Sequence, residues 1–421
     1  MRSFSLFLLL LAALSPLAAE ETKSAAVSIS DLVSRTLAAN PEILFYEAEI
    51  ETAKSTGKTA GRQSNPELSL DVGRNRVSST DSRSNGLAFS ASLAQPIEWP
   101  GRLGLRKSIA NRDITLAELG LERFRFHLAS RVRVLAYTLA ANQEISGAAN
   151  EVASRYASLR EVMVQREPAG IAPQLEIVTI EAAALVAESR AATSAVTVQS
   201  ALLELNQLMG RRADTPLVVK RARIEMSQPP SLDTLLLSAM ANHYDLRIRR
   251  AELEQQGFKV ELAKNERHPT FTVGPFVEST RGNEDETAAG IGISLPLPFW
   301  KSGKAEVSAA QARQVQAQAS LNSEQREVER QVTESMLIFK TQQSRFALWK
   351  GDAIDKFSEA AELADRHYRL GAVPMGTFVE LQDKYLEAVE SIAEARSQAL
   401  ESALMLEELT GSPGSLISLP E

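Results

Sequence analysis

The sequence predicts a mostly α-helical fold with a smaller β component, built from two copies of one unit. Three observations predict it: landmarks of the first half recur in the second, each half contains a very long stretch of helical hydrophobic spacing, and each half contains two short alternating stretches. The 421 residues include no cysteine, so packing must stabilise the fold without disulfides.

The chain opens with a segment that has the layout of a secretory signal. Residues 1–19, MRSFSLFLLLLAALSPLAA, place Arg2 before an unbroken apolar run that ends in small residues. This run is short for a membrane-spanning helix, so a retained anchor is the weaker interpretation. We therefore expect residues 1–19 to be a signal peptide, cleaved near Ala19, and the mature chain to be exported.

Four landmarks recur in the same order and indicate an internal duplication. The segment SNPELSLDVG matches RHPTFTVGPF, and IEWPGR matches PFWKSGK. Gly170 and Pro173 lie 201 residues before Gly371 and Pro374, and LNQLMG ends 201 residues before LEELTG. Repetition at nearly one offset predicts two structural repeats joined by a linker. The predicted bounds are 20–210 for the first repeat, 211–230 for the linker and 231–421 for the second repeat.

Each repeat is predicted to contain two strands followed by two long helices. The elements of the first repeat are strands at about 67–74 and 86–98 and helices at about 103–166 and 174–209. Those of the second repeat are strands at about 270–278 and 289–299 and helices at about 302–369 and 375–410. One further helix precedes each strand pair, over 32–61 and 232–266, and ends ahead of a proline.

The strands alternate between apolar residues and small or polar residues. Apolar residues take alternate positions in the second strand of each pair, at Leu87, Phe89, Ala91, Leu93 and Ile97, and at Ile291, Ile293, Leu295, Leu297 and Phe299. Such a pattern predicts strands whose two faces meet different environments.

Two environments fit these strands. One is a water-soluble sandwich whose apolar face packs on a core. The other is a membrane barrel with the apolar face in lipid and the small, polar face on a water-filled lumen. Each strand pair is followed by a helix, so one chain has no further strands to cover its sheet edges. Because lipid forbids open edges, several copies of the chain must pool their strands: two copies give eight strands and three give twelve.

The first long helix carries a coiled-coil-like seam. Its apolar residues step by three and four, at Leu121, Phe124, Leu128, Val132, Leu135 and Leu139. About 64 residues at ~1.5 Å each make a rod of about 95 Å, longer than a compact domain holds. Such rods alone fit a filament stalk, but rods joined to barrel strands favour a tunnel across the periplasm.

A conspicuous motif stands where each second strand meets its long helix. Trp99-Pro100-Gly101 and Trp300 with Gly303 follow the two strands, and basic residues come next. Aromatic rings are enriched at membrane surfaces, and Pro and Gly end a strand. We therefore interpret this motif as the joint between barrel and tunnel, with Arg102, Lys301 and Lys304 just beyond the lipid. The alternative is an aromatic cluster that fills a soluble core at a strand end.

On these motifs the chain resembles the TolC family of outer-membrane efflux proteins along nearly its whole length. QPIEWPGRLGLRKSIA and GISLPLPFWKSGKAEVSAA resemble the CzcC and CusC-like branch for heavy-metal efflux, while YRLGAVPMGTFVELQDKYLEA resembles the family in general. The resemblance implies a homotrimer with a twelve-stranded transmembrane β-barrel in the outer membrane of a Gram-negative bacterium and a helical barrel that extends into the periplasm. It also implies two partners, a periplasmic adaptor (membrane fusion protein) and a proton-driven inner-membrane RND pump.

The resemblance further implies where the channel closes. Family members close their periplasmic end with the turns between long helices, which adaptors contact; here these turns contain Gly170 and Pro173, and Gly371 and Pro374. Acidic residues after the second turn ring the constriction in related channels. This implies a gate at Glu380, with Asp383 one turn on, whereas Thr377 replaces a second acid of the family. The alternative is that these are solvated charges on a helix. The lipid-bearing cysteine of many family members is missing, so the barrel alone would hold the chain in the membrane.

No catalytic chemistry is evident in the sequence. The four histidines are scattered without the spacing of a metal site, and no nucleophile elbow or phosphate-binding loop occurs. A net charge of −7 argues against nucleic-acid binding. We expect no enzymatic activity, no cofactor and no metal site, and interpret the chain as a passive exit duct for divalent heavy-metal cations. The alternatives are a duct for drugs or secreted polypeptides and a secreted coiled-coil scaffold without a pore.

Overall fold

A computed structural model describes residues 26–78, 83–165, 171–220, 224–281, 285–297, 303–348 and 353–418. The helices in these ranges are α1 (Ile29–Ala39), α2 (Pro41–Ala60), α3 (Arg102–Gln165), α4 (Ile171–Leu208), α5 (Leu232–Asn242), α6 (Tyr244–Asn265), α7 (Lys304–Leu348), α8 (Ala353–Arg369) and α9 (Met375–Thr410). The strands are β1 (Glu67–Ser78), β2 (Arg83–Ile97), β3 (Glu225–Met226), β4 (Phe271–Arg281), β5 (Glu286–Ser294) and β6 (Ile417–Ser418). The predicted class, mostly helical with a few strands, is confirmed.

The helix ahead of each strand pair is two helices, so the prediction of one helix was wrong in both repeats. In the first repeat Asn40 is extended because Pro41 disfavours the helical conformation before it, and the Asn40 side chain accepts the Glu42 N–H to cap α2. In the second repeat His243 is extended, at φ −56° and ψ 127°, between α5 and α6.

The long helices follow the prediction closely in the first repeat. There α3 spans 64 residues, beginning one residue before the predicted start. In the second repeat α7 and α8 cover the predicted range on both sides of residues 349–352, which lie outside the described residues.

Strands β1, β2, β4 and β5 form one antiparallel sheet in that order. The pairing of β2 with β4 joins the two repeats, and β1 and β5 are the edges. A side chain at Gly274 would overlap the Leu93 carbonyl, so glycine lets β4 pass β2 closely. Strand β5 ends at Ser294, earlier than predicted, and Pro296 two residues on has no N–H with which to continue the ladder.

The two faces of this sheet differ as the alternation predicted. Cross-strand pairs such as Leu68 with Leu93, Val72 with Phe89 and Val273 with Ile293 place apolar residues on one face. The opposite face carries rows of small and polar residues, for example Asp71, Ser90 and Glu278. The large apolar side chains that stay exposed on the first face are Leu68, Leu70, Val72, Leu87, Phe89, Leu93, Val277, Ile291 and Ile293.

The helices bury two apolar clusters. The larger one joins both repeats and includes Val132, Leu139, Val332, Phe339 and Leu406. The smaller one lies toward the turns between the long helices and includes Tyr156, Ile180, Phe378, Leu386 and Val389. None of the described helices combines the length and the hydrophobicity that crossing a membrane requires.

A small sheet of β3 and β6 holds the C-terminal segment beside the larger cluster. Strand β6 pairs with β3, and Leu416 and Ile417 are buried. Glu407 on α9 turns its carboxylate toward this segment and accepts the backbone N–H groups of Gly414, Leu416 and Ile417 at 2.8, 2.7 and 3.2 Å. Its 0% exposure marks it as a structural anchor rather than a surface charge.

Candidate functional site

The first joint connects β2 to α3 and rests on the second repeat. The Trp99 ring stacks on His268 with centroids 4.4 Å apart and planes 13° from parallel, and the side chain remains 42% exposed. Gly101 has φ +88°, a conformation that glycine adopts without strain. The carbonyl of Pro100 accepts a hydrogen bond from Asn265 Nδ2 at 2.9 Å. The three predicted joint residues therefore lie together at the sheet end.

Arg102, at the start of α3 beside the sheet end, is a buried side chain rather than a surface charge. Its guanidinium, 4% exposed, donates to Asn265 Oδ1 at 3.0 Å and to Thr270 Oγ1 at 2.7 Å. It also donates to the carbonyl oxygens of Asn265 at 3.1 Å and His268 at 2.7 Å. All these acceptors belong to the chain that leads into β4. Arg102 thus ties the joint of the first repeat to the strand entry of the second.

The second joint is described only in part. Gly303 has φ +67°, and an added Cβ would lie 2.8 Å from Arg267 Cγ, so the position requires glycine. Lys304 is the first residue of α7. Trp300 and Lys301 lie outside the described residues, so their predicted places are untested.

The turn between α8 and α9 is closed by a glycine in the left-handed conformation. Gly371, at φ +72°, donates to the Tyr368 carbonyl, and Ala372 donates to the His367 carbonyl, each at 2.9 Å. This pair of bonds is a Schellman motif, which satisfies the last carbonyls of α8. Pro374 is extended and immediately precedes α9 as its N-cap residue. Of the matching turn, Gly170 lies outside the described residues, while Pro173 falls in the first turn of α4.

Beneath the described turn, aromatic rings pack the helix ends together. Phe378 stacks on Tyr368 at 5.2 Å and meets Tyr156 edge-on at 5.6 Å. Phe378 and Tyr156 are fully buried, and among the described residues the Tyr156 hydroxyl has no hydrogen-bond partner. Burial is the main reason that the pKa of Tyr156 is raised, with the nearby charge of Asp383 adding to it.

Three side-chain hydrogen bonds connect α3, α8 and α9 near this turn. Gln382, which is fully buried, donates to the Ala361 carbonyl at 2.7 Å and accepts from Arg155 at 2.9 Å. Arg369 at the end of α8 donates to Ser158 on α3 at 2.8 Å. Three helices are therefore linked just behind the turn.

The predicted gate residues lie on or beside an exposed polar stripe of α9. Thr377 and Glu380 are exposed, and Asp383 is half-buried. Farther along the stripe, Lys384 pairs with Glu387 at 2.7 Å. Their hydrogen bond lowers the pKa of Glu387 and raises that of Lys384. Within the described part of the chain Glu380 forms no ion pair, although its negative charge, with that of Asp383, helps to raise the pKa of the nearby Lys384.

Among the described residues no three histidines or carboxylates are grouped closely enough to hold a metal ion.

A sheet with one exposed apolar face, at the end of a long duplicated helical bundle, defines a subunit of an outer-membrane channel. The chain belongs to the outer membrane efflux protein family, whose model matches residues 32–211 and 235–412. The two matched segments correspond to the two repeats.

Solved structures with the same fold are also channels. The outer membrane channel CmeC of Campylobacter jejuni matches with a TM-score of 0.72 at 15% identity, covering 91% of this chain and 85% of that one. The open MtrE channel of Neisseria gonorrhoeae matches with a TM-score of 0.70 at 16% sequence identity, covering 91% of this chain and 88% of that one. CusC matches with a TM-score of 0.71 at 12% sequence identity, covering 94% of this chain and 95% of that one. No curated protein sequence matches the chain significantly.

Proposed function

We propose that three copies of this chain form an outer-membrane exit channel of a tripartite efflux system, with a twelve-stranded barrel and a helical tunnel. The proposal rests mainly on the four-stranded sheet, whose apolar face is exposed and whose edge strands β1 and β5 pair with no further strand in the described part of the chain. A closed barrel built from three such sheets removes the edges and places the apolar face in lipid.

The length of the strands suits this assignment. The ten residue steps from Leu87 to Ile97, at ~3.3 Å each and a tilt of ~40°, rise about 25 Å along the barrel axis. That rise equals the height of the apolar band typical of outer-membrane barrels, ~25 Å.

An exposed apolar stripe on α4 supports a trimeric helical tunnel. Its members are spaced by seven and by three or eleven residues, as along a coiled-coil seam, and are Leu175, Val178, Leu185, Val196 and Leu203. Long single helices rarely leave such a stripe in water. We assign it to the contact with the next subunit.

Leu185→Glu should therefore dissociate the trimer, because Leu185 is 68% exposed in one chain and would be buried in the assembly. The expected result is at least about a tenfold fall in the trimer fraction in detergent, measured by light scattering after size-exclusion chromatography. Leu185→Met is the matched control and should remain trimeric. A Leu185→Glu protein that stays trimeric with wild-type heat stability would exclude α4 from the subunit contact.

We assign divalent heavy-metal cations as the cargo, on the branch resemblance of the two joint motifs and on the exposed carboxylate of Glu380 on α9. The turn with Gly371 and Pro374 is assigned to the periplasmic adaptor, and the driving force to an inner-membrane RND pump. Deleting the gene should lower zinc, cobalt, cadmium, copper or silver tolerance, and plasmid-borne wild type should restore it. Unchanged metal tolerance with a loss of drug tolerance would contradict the metal cargo and leave the channel assignment standing.

Glu380→Ala should weaken cation block at the periplasmic end. Three symmetry copies of the Glu380 carboxylate would attract multivalent cations at a constriction, and alanine removes all three charges. In planar bilayers we expect half-block by a trivalent cation to need at least about tenfold more cation. The control is Glu329→Ala, which removes an exposed carboxylate from α7 and should leave the block by cations unchanged. Equal block in wild type and Glu380→Ala would remove Glu380 from the gate.

A further inference from the structure

Three arginines lie where the apolar face of the sheet ends, on the side away from the helices. In the cross-strand register Arg74 is opposite Leu87, and Leu87 is opposite Arg281, so both arginines share the face that carries the apolar residues. Arg76 is two residues farther along β1 and therefore lies on the same face. The three guanidinium groups border an open groove of about 850 Å³, which Asn75 and Asn85 also line.

The positive charge of this groove is poorly compensated. Arg76 donates to the neutral amide of Asn85 at 3.1 Å. Across the described ranges neither Arg74 nor Arg281 forms an ion pair, but continuing the β4–β5 pairing by one residue places Asp285 opposite Arg281 on the same face.

The remaining acids of the strands face away from the groove. Asp71 and Glu278 belong to the row through Ser90, which lies on the opposite, small-residue face. Glu286 is opposite Thr280, again in a row of that face. Three arginines that face a single described carboxylate, Asp285, leave the groove with a net positive charge, which suits an anionic partner from outside the chain.

We infer that Arg74, Arg76 and Arg281 bind the phosphate groups of membrane lipid headgroups in the leaflet farther from the helices. The inference rests on the proposed barrel. Arg74 follows Val72, the last exposed apolar residue of its column, by about 7 Å of strand, which places its guanidinium at the level of headgroups. Arginine matches phosphate with paired N–H donors, and its cost on the lipid face nearly vanishes near the interface.

The site discriminates by phosphate rather than by acyl chain. We would measure binding by native mass spectrometry of the detergent-purified trimer, with bisphosphorylated lipid A, with the same lipid stripped of phosphate, and with inorganic phosphate as competitor. Wild type should bind the phosphorylated lipid at least about tenfold more tightly than the stripped one. The double variant Arg74→Gln and Arg281→Gln should lose that preference.

The double variant Arg211→Gln and Arg313→Gln is the matched control, since it removes two exposed arginines from the loop after α4 and from α7. It should keep the wild-type preference. Equal binding of both lipids by wild type, or an unchanged preference in Arg74→Gln with Arg281→Gln, would overturn the inference. Competition by millimolar inorganic phosphate as strong as by lipid would reassign the groove to free anions. Planar-bilayer conductance of the same preparations tests the channel separately. If wild type shows no conductance, both the channel and the lipid site are contradicted. If wild type conducts, the binding measurements test the lipid site alone.

Discussion

Replacing Arg102 by alanine should cost the folded chain about 3–5 kcal/mol, the largest single loss we expect at the joint. The guanidinium is buried and makes four hydrogen bonds to the entry of β4. Removing it leaves the carbonyls of Asn265 and His268 without their donor in a place that water reaches poorly. The two hairpins then lose a side-chain link that adds to the β2–β4 ladder, so the proposed trimer should melt at a lower temperature or fail to form.

The stability of Arg102→Lys should lie between those of wild type and Arg102→Ala, because one ammonium group cannot bind all the acceptors that the planar guanidinium binds together. Lys107→Ala is the control: its side chain is exposed one turn along α3 and makes no hydrogen bond or ion pair in the described part of the structure. The order of stability among these variants would be measured by oligomer melting on gels and by tryptophan fluorescence in denaturant. Equal stability of Arg102→Ala and Lys107→Ala would show that the joint does not depend on the guanidinium.

The strands could be predicted from the sequence because the pattern that marks a strand lies within the strand itself. Alternation at Leu87, Phe89 and Leu93 follows directly from a strand with two different faces, and the structure keeps that division. The pairing of β2 with β4, which joins segments from different repeats, has no local signal. Neither does the burial of Arg102, since a basic residue after Pro-Gly reads equally well as a surface charge.

The helix interruptions were missed for a different reason. Asn40-Pro41 was a visible signal, since proline restricts the residue before it and asparagine caps helices, but the helical hydrophobic pattern continued across it. At His243 nothing in the sequence marks the break; packing decides it, and His243 is buried there. Burial lowers the pKa of His243, the expected effect of desolvation on a group that charges by gaining a proton.

Glu407 shows the limit of sequence reasoning about acids most clearly. In a helix rich in glutamate it looks like another solvated charge, as Glu401 is. Only the return of the C-terminal segment over α9 turns it into an acceptor for three backbone N–H groups. The bonded residues are seven to ten positions apart in sequence, so the bonds depend on how the C-terminal segment folds back and not on the helix pattern.

Glu407→Ala should destabilise the chain by about 3 kcal/mol or more, because it deprives three N–H groups, two of them on buried residues, of their acceptor. Glu407→Gln should cost less: its amide oxygen can keep the two bonds at Leu416 and Ile417, while its NH₂ group opposes the donor at Gly414.

The effect should be concentrated where the C-terminal segment lies. Hydrogen exchange should rise at Leu416 and Ile417 and across the β3–β6 pair, and much less in the sheet of β1, β2, β4 and β5, which has no contact with Glu407. Glu401→Gln removes an exposed charge from the same helix and should change neither stability nor exchange. If exchange at Leu416 stayed at the wild-type rate in Glu407→Ala, the segment would be held by its apolar contacts, and the carboxylate would be a tolerated buried charge rather than the anchor.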